Sequence, residues 1–185
     1  MDRLDPRTTL ILVVDVQEKL AAAMPEASLA TLVKNTGILL EAAKELGVPV
    51  LASEQYPKGL GPTVPAVAER LARLDRAALP KVTFDACSDL AIARAISDVA
   101  PRAVVVVGME AHVCVFQTAR ELVKRGYLTH VVADAVSSRQ EDNRRLGLAL
   151  AERAGAIVTT TETVVFDLLG RAGTDAFKAV SKLIR

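Results

Sequence analysis

Short runs of aliphatic residues constrain this chain most. Leu10–Val14, Val48–Ala52, Ala103–Val107 and Leu128–Ala133 are rich in β-branched side chains, and Ala156–Thr160 is a weaker run of the same kind. None alternates regularly with polar residues. A strand with one wet face alternates, whereas a strand covered on both faces does not, so these runs predict a parallel sheet between two layers. Between them the spacing becomes helical. Leu29, Leu32, Val33, Thr36, Leu39, Leu40, Ala43 and Leu46 recur at three and four residues, with Ser28 as a capping residue and Gly47 as a stop. Leu90, Ala93, Ile96 and Ala100 form a second stripe before Pro101. Val115, Ala119, Leu122 and Val123 form a third before Gly126, and Leu146, Ala149, Leu150 and Arg153 a fourth before Gly155.

Strand and helix in alternation predict an α/β domain of three layers with right-handed crossovers. The rhythm needs one more strand, placed at Ala78–Phe84; Pro80 favours an edge or the strand's first residues. That makes a six-stranded sheet. Gln55–Pro65 carries five prolines and glycines beyond Tyr56 and reads as a loop or lid. No linker or repeat interrupts the pattern, so residues 1–185 read as a single domain.

Composition removes several function classes. Only 3% of residues are aromatic, with no Trp, while thirty are Ala, so an aromatic platform for single-stranded nucleic acid is not expected. A net charge of +1 gives no drive toward nucleic acid or an anionic membrane. The apolar runs are too short to span a bilayer. Asp2, Arg3, Asp5 and Arg7 do not form a signal-peptide pattern. Two cysteines, Cys87 and Cys114, are too few for a disulfide scaffold, and a cytoplasmic, reducing setting is expected. The expected partner is a small-molecule substrate.

In open α/β sheets ligands bind beyond the carboxyl ends of the strands, near the switch in strand order. Asp15 ends the first strand, Lys81 lies in the third, and Cys114 follows the fourth at the start of a helix. Each has an ordinary reading: a turn cap, a solvated edge lysine, a small buried hydrophobe. Together a carboxylate, an amine and a thiol at one rim make a base, a cation and a nucleophile. A helix N-terminus would stabilise the thiolate and an oxyanion. Cys87 reads as core or as a helix-start residue, and His130 as a packed or edge residue of the fifth strand. His112 stands two residues before Cys114, an awkward spacing for a Cys–His pair. The two histidines lack zinc-site spacing, and neither a GxGxxG nor a Walker loop is present, so no metal and no cofactor are expected.

The segments "LILVVDVQEKL", "PVLASEQYPKGLG", "PKVTFDAC", "VVVVGMEAHVCVFQTARELVKRGY" and "HVVADAVSSR" resemble the isochorismatase-like cysteine hydrolase superfamily, over about Thr9 to Thr163. The loop SEQYPKGLG and the segment GMEAHVC point to its isochorismatase-domain-containing group. The resemblance implies a Rossmann-like parallel sheet in the order 3-2-1-4-5-6 with helices on both faces. It implies a catalytic triad of Asp15, Lys81 and Cys114, a cis peptide at Met109–Glu110, and an oxyanion hole of the Glu110 and Cys114 N–H groups. Strands one and four flank the switch point; strand three does not, and the resemblance alone places Lys81 at the site. Gln55, Tyr56, Phe84 and His112 are the candidate pocket wall.

Nicotinamidases of this superfamily carry an Asp/His metal cluster after the second strand, where this chain has Ser53, Glu54, Gln55 and Tyr56. The resemblance therefore implies a metal-independent hydrolase of a small carboxamide or related C–N bond, working through a thioester, in a homo-oligomer. Two other readings stay open: a catalytically silent member acting through oligomerisation or partner binding, and a thiol-redox or stress-response protein using Cys114. The stretch Thr174–Ile184 has the spacing of an amphipathic helix for an interface or for its own sheet.

Overall fold

The computed structural model describes residues 3–184; Asp2, in the N-terminal pattern above, lies outside them. Six strands form one parallel sheet in the order β3-β2-β1-β4-β5-β6. They are β1 (Thr9–Val14), β2 (Val50–Gln55), β3 (Leu79–Lys81), β4 (Ala103–Met109), β5 (Leu128–Ser137) and β6 (Ile157–Thr159). The helices are α1 (Glu18–Ala21), α2 (Glu26–Leu46), α3 (Pro57–Leu60), α4 (Pro65–Ala72), α5 (Leu90–Val99), α6 (Phe116–Lys124), α7 (Glu141–Arg153), α8 (Thr161–Leu169) and α9 (Asp175–Val180). The α/β class and the three layers are as the sequence predicts, and the strand order is the one the resemblance implies.

The missing alternation has the expected cause. Ile11, Val13, Val105 and Val107 face one core, built with α2, α4, α8 and α9. Leu10, Leu12, Val14, Val104 and Val106 face the other, built with α5, α6 and α7. Each such side chain contributes about 1.5–3 kcal/mol by burial, so neither face of β1 or β4 can turn polar. The strands flanking the switch are drawn together by Gly108, which has φ 122°. A Cβ there would stand 1.9 Å from the Val14 carbonyl oxygen.

Several boundaries differ from the sequence reading, each for a local reason. β2 starts two residues later, because Val48 N–H closes the left-handed cap of α2 on the Ala43 carbonyl. It also runs on through Ser53, Glu54 and Gln55, so Gln55 belongs to the strand and not to the loop. The rest of that loop contains α3 and leads into α4 at Pro65, and Thr63 pairs with Gln17. β3 stops at Lys81 and pairs with β2 alone, which leaves Pro80 at the tolerated edge. β5 runs past Asp134, because Thr161 satisfies that carboxylate with its N–H and hydroxyl at 2.8 and 2.9 Å. α2 starts at Glu26 behind Pro25, so Ser28 lies inside the helix and does not cap it. Cys87 is buried in a short 3-10 turn. His130 is buried in β5. At the C-terminus α9 packs on α2 and α8, with Val180 buried and the Phe166 and Phe177 rings 6.4 Å apart.

Candidate active site

β1 ends against the register pair Val14 and Gly108 of β4. The next residue, Asp15, turns into the left-handed region at φ 52°, a conformation that Asp tolerates better than most side chains. Its N–H donates to the Ser53 carbonyl at 3.1 Å, and its own carbonyl accepts from Gln17 N–H at 2.9 Å. Its carboxylate is then fully buried. Ser53 Oγ donates to Oδ1 at 2.8 Å, and Lys81 Nζ donates to Oδ2 at 2.8 Å.

Register explains how Lys81 reaches a crevice that β3 does not border. Lys81 pairs with Gln55, and Ser53, two residues earlier in β2, pairs with Val14. The lysine therefore lies just past the end of the strand next to Asp15. Its Nζ also meets Gln55 Oε1 at 2.6 Å and the Thr83 and Phe84 carbonyls at 3.0 and 3.3 Å. Every one of these groups is an acceptor, the surroundings of an ammonium. Lys81 is thus no solvated edge residue.

β4 ends in a cis peptide at Met109–Glu110, the bond the resemblance implies. The chain then winds into a π-helical turn, Ala111–Val115, before α6. Such turns recur at functional sites. Cys114 is buried within that turn, not at the first residue of a regular helix. The consequence opposes the expectation of a stabilised thiolate. Burial pushes the Cys114 thiol up to about 12; the Asp15 charge and a side-chain hydrogen bond to Asp15 act the same way, and Lys81 opposes them. These surroundings favour a thiol over a thiolate at Cys114. The Glu110 side chain is buried and accepts from Arg139 N–H at 3.0 Å and Nε at 3.1 Å.

Residues 9–163 match the family model described as the isochorismatase domain. The chain belongs to the isochorismatase family. Isochorismatase domain-containing protein 2 of Xenopus laevis is 37% identical over 186 residues, covering 98% of this chain and 86% of that protein. The secreted isochorismatase effector Isc1 of Phytophthora sojae is 36% identical over 188 residues, with coverage of 100% and 88%. The solved structure of MAR1 ribonuclease from Caenorhabditis elegans superposes with a TM-score of 0.91 at 38% identity, covering 99% of this chain and 92% of that one. The family is one of hydrolases, and the sheet carries the fold that goes with it.

Within this isochorismatase-family site the expected pocket wall needs correction. Gln55 is buried and wholly engaged: besides meeting Lys81, its Nε2 donates to the Val82 carbonyl at 2.9 Å. Its side-chain amide is taken up by Lys81 and Val82. The Tyr56 and Phe84 rings point outward, at 56% and 54% exposure, so they stand at most at a rim. Tyr56 lines a surface groove of about 360 Å³ with Pro57, Lys58, Pro80, Lys81, Val82 and Asp89. His112 is half-buried beside Cys114 and its Nδ1 lies 3.0 Å from Ser138 Oγ. Among the described residues, no three His, Cys, Asp or Glu side chains group as a metal site.

Two residues at the site carried no reading in the sequence, and Ser53 was noted only for standing where relatives carry a metal cluster. Ser53 shares Asp15 with Lys81. Gln17 is buried, accepts from Gln55 N–H at 2.8 Å, and donates to the Gln55 and Gly61 carbonyls at 3.0 and 2.7 Å. Gly147 lets α7 back onto the π-helical turn, since a Cβ there would stand 2.6 Å from the Ala111 carbonyl and His112 N. A glycine inside a helical stripe is the signal that marks this last one.

Proposed function

We propose that this chain is a metal-independent cysteine hydrolase of a small carboxamide or related C–N bond, with Asp15, Lys81 and Cys114 as its triad. One observation carries the reading: the buried Cys114 thiol feels the charge of a buried Asp15 that Lys81 holds at 2.8 Å. As sulfur attacks the carbonyl carbon, the thiol proton passes to Asp15, and Lys81 stabilises the charge that remains. The carbonyl oxygen becomes an oxyanion facing the Glu110 and Cys114 N–H groups. Collapse of this intermediate breaks the C–N bond, and the amine leaves with the proton from Asp15. Water then gives its proton to Asp15, attacks the thioester and releases the acid, and Cys114 recovers its proton. A thiol that ionises only during attack suits a site pushed up by burial.

Access supports the substrate class. Cys114 is only 5% exposed, which favours a small planar acyl group over a bulky chain. His112 is the wall residue this reading retains, with Tyr56 and Phe84 at the rim. A cytoplasmic setting belongs to the proposal and is supported by two buried free thiols. A homo-oligomer belongs to it as well, supported by the large exposed side chains Val82 and Leu90, and light scattering tests it.

The test is ammonia release from a panel of small carboxamides, with a short oligoribonucleotide assayed beside them because a 38% identical structure is described as a ribonuclease. Turnover of an amide by the wild type and none by Cys114→Ala is expected. Turnover that survives Cys114→Ala sinks the thioester route. Cleavage of the oligoribonucleotide alone replaces the substrate class.

A further inference from the structure

The Lys81 ammonium has three N–H bonds, and its acceptors come from three separate elements. Asp15 follows β1, Gln55 ends β2, and the Thr83 and Phe84 carbonyls lie in the turn after β3. Gln55 makes the shortest of these bonds, at 2.6 Å. Its amide has one usable orientation, because Nε2 must donate to the Val82 carbonyl and only Oε1 can then face an ammonium. The backbone of Gln55 is held on both sides by the Gln17 amide, which pairs with its N–H and its carbonyl as a strand neighbour would. Gln17 itself stands two residues beyond Asp15, so the loop that presents the carboxylate also fixes the residue that aims the lysine.

We propose that Gln55 is a positioning residue that orients the Lys81 ammonium onto Asp15, with Gln17 holding Gln55 in place. The inference rests on the triad reading above. Without Gln55 Oε1 the ammonium is held by Asp15 and by one turn, and it swings with that turn. Asp15 then loses part of its compensating charge, and Cys114 becomes harder to ionise.

Alkylation of Cys114 by iodoacetamide tests this without a known substrate. The whole chain is labelled from neutral to alkaline pH and modification at the Cys114 peptide is read by mass spectrometry, for the wild type, Lys81→Met and Gln55→Met. Gln55→Met is expected to move the profile to higher pH by about one unit, a roughly tenfold loss of labelling at neutral pH. A thermal melt runs alongside, because a merely structural role lowers the melting temperature and leaves the pH profile in place. Gln55→Asn keeps an amide too short to reach Lys81; it is expected to move the profile the same way and serves if the Met variant does not fold. A Gln55 profile that overlays wild type while Lys81→Met shifts overturns the positioning role alone. A Lys81→Met profile that also overlays wild type overturns the triad reading beneath it.

Discussion

The Lys81–Asp15 pair makes a quantitative claim about stability. Both side chains are fully buried, and Nζ and Oδ2 are 2.8 Å apart. The exposed pair Arg7–Asp5, at 2.6 Å, offers a contrast: its arginine is 86% exposed, and water screens such a pair so that it adds little to stability. A buried pair behaves differently when one partner is removed, because the other charge stays behind in a poor solvent. Lys81→Met should therefore cost about 3–5 kcal/mol at neutral pH. Asp15→Asn should cost less than that, since Asn keeps an acceptor for Lys81 and a partner for Ser53. In the double variant no charge is left unpaired. Its cost should fall short of the sum of the singles by about 2 kcal/mol. Urea unfolding of the four proteins gives all the terms. Additivity within about 0.5 kcal/mol would show that the two side chains do not couple, and the account of the site built on their contact would be wrong.

Two further predictions concern the frame around the site. Gly108→Ala places a Cβ 1.9 Å from the Val14 carbonyl oxygen at φ 122°, so it should cost about 3 kcal/mol or more, and a melting temperature equal to wild type would refute the close approach of β1 and β4. His130 is buried with an unpartnered Nε2, and burial holds it below its ordinary range, with Asp167 opposing weakly. The unfolded chain takes up that proton below about pH 6.5 while the native state does not, so stability should fall as pH drops through that point. His130→Leu should flatten this dependence, and unchanged curves from urea melts at pH values on both sides of it would count against the buried, neutral ring.

The fold was legible because its cause is compositional. A strand buried on both faces must be apolar at every position, and β1 and β4 write that condition directly into Leu10–Val14 and Ala103–Val107. Ends were less legible wherever a polar side chain found a distant partner. Asp134 reads as the stop of β5, yet Thr161, twenty-seven residues away, satisfies its carboxylate and the strand continues. The signal for continuing lay in another element. Ser28 failed as a cap for the opposite reason: Pro25, fixed in φ by its own ring, already sets where α2 begins.

The site divides along the same line. Asp15 and Cys114 were legible because a charge and a thiol just beyond apolar strands stand out in any reading. The charge state of Cys114 was not, since a helix-start position argues for a thiolate and only the closed packing around the π-helical turn argues for a thiol. Lys81 reached the site only by resemblance, because its path depends on register: Gln55 opposite Lys81, and Ser53 opposite Val14. The amides are the extreme case. Gln17 and Gln55 carry no charge and repeat at no period; Gln17 drew no reading, and Gln55 was read as pocket wall rather than as a partner of Lys81. Their contribution is directional, one donor and one acceptor each aimed at a particular backbone or ammonium group. Such a role has no compositional trace, which is why the ion pair could be suspected from the sequence while the amides that aim it could not.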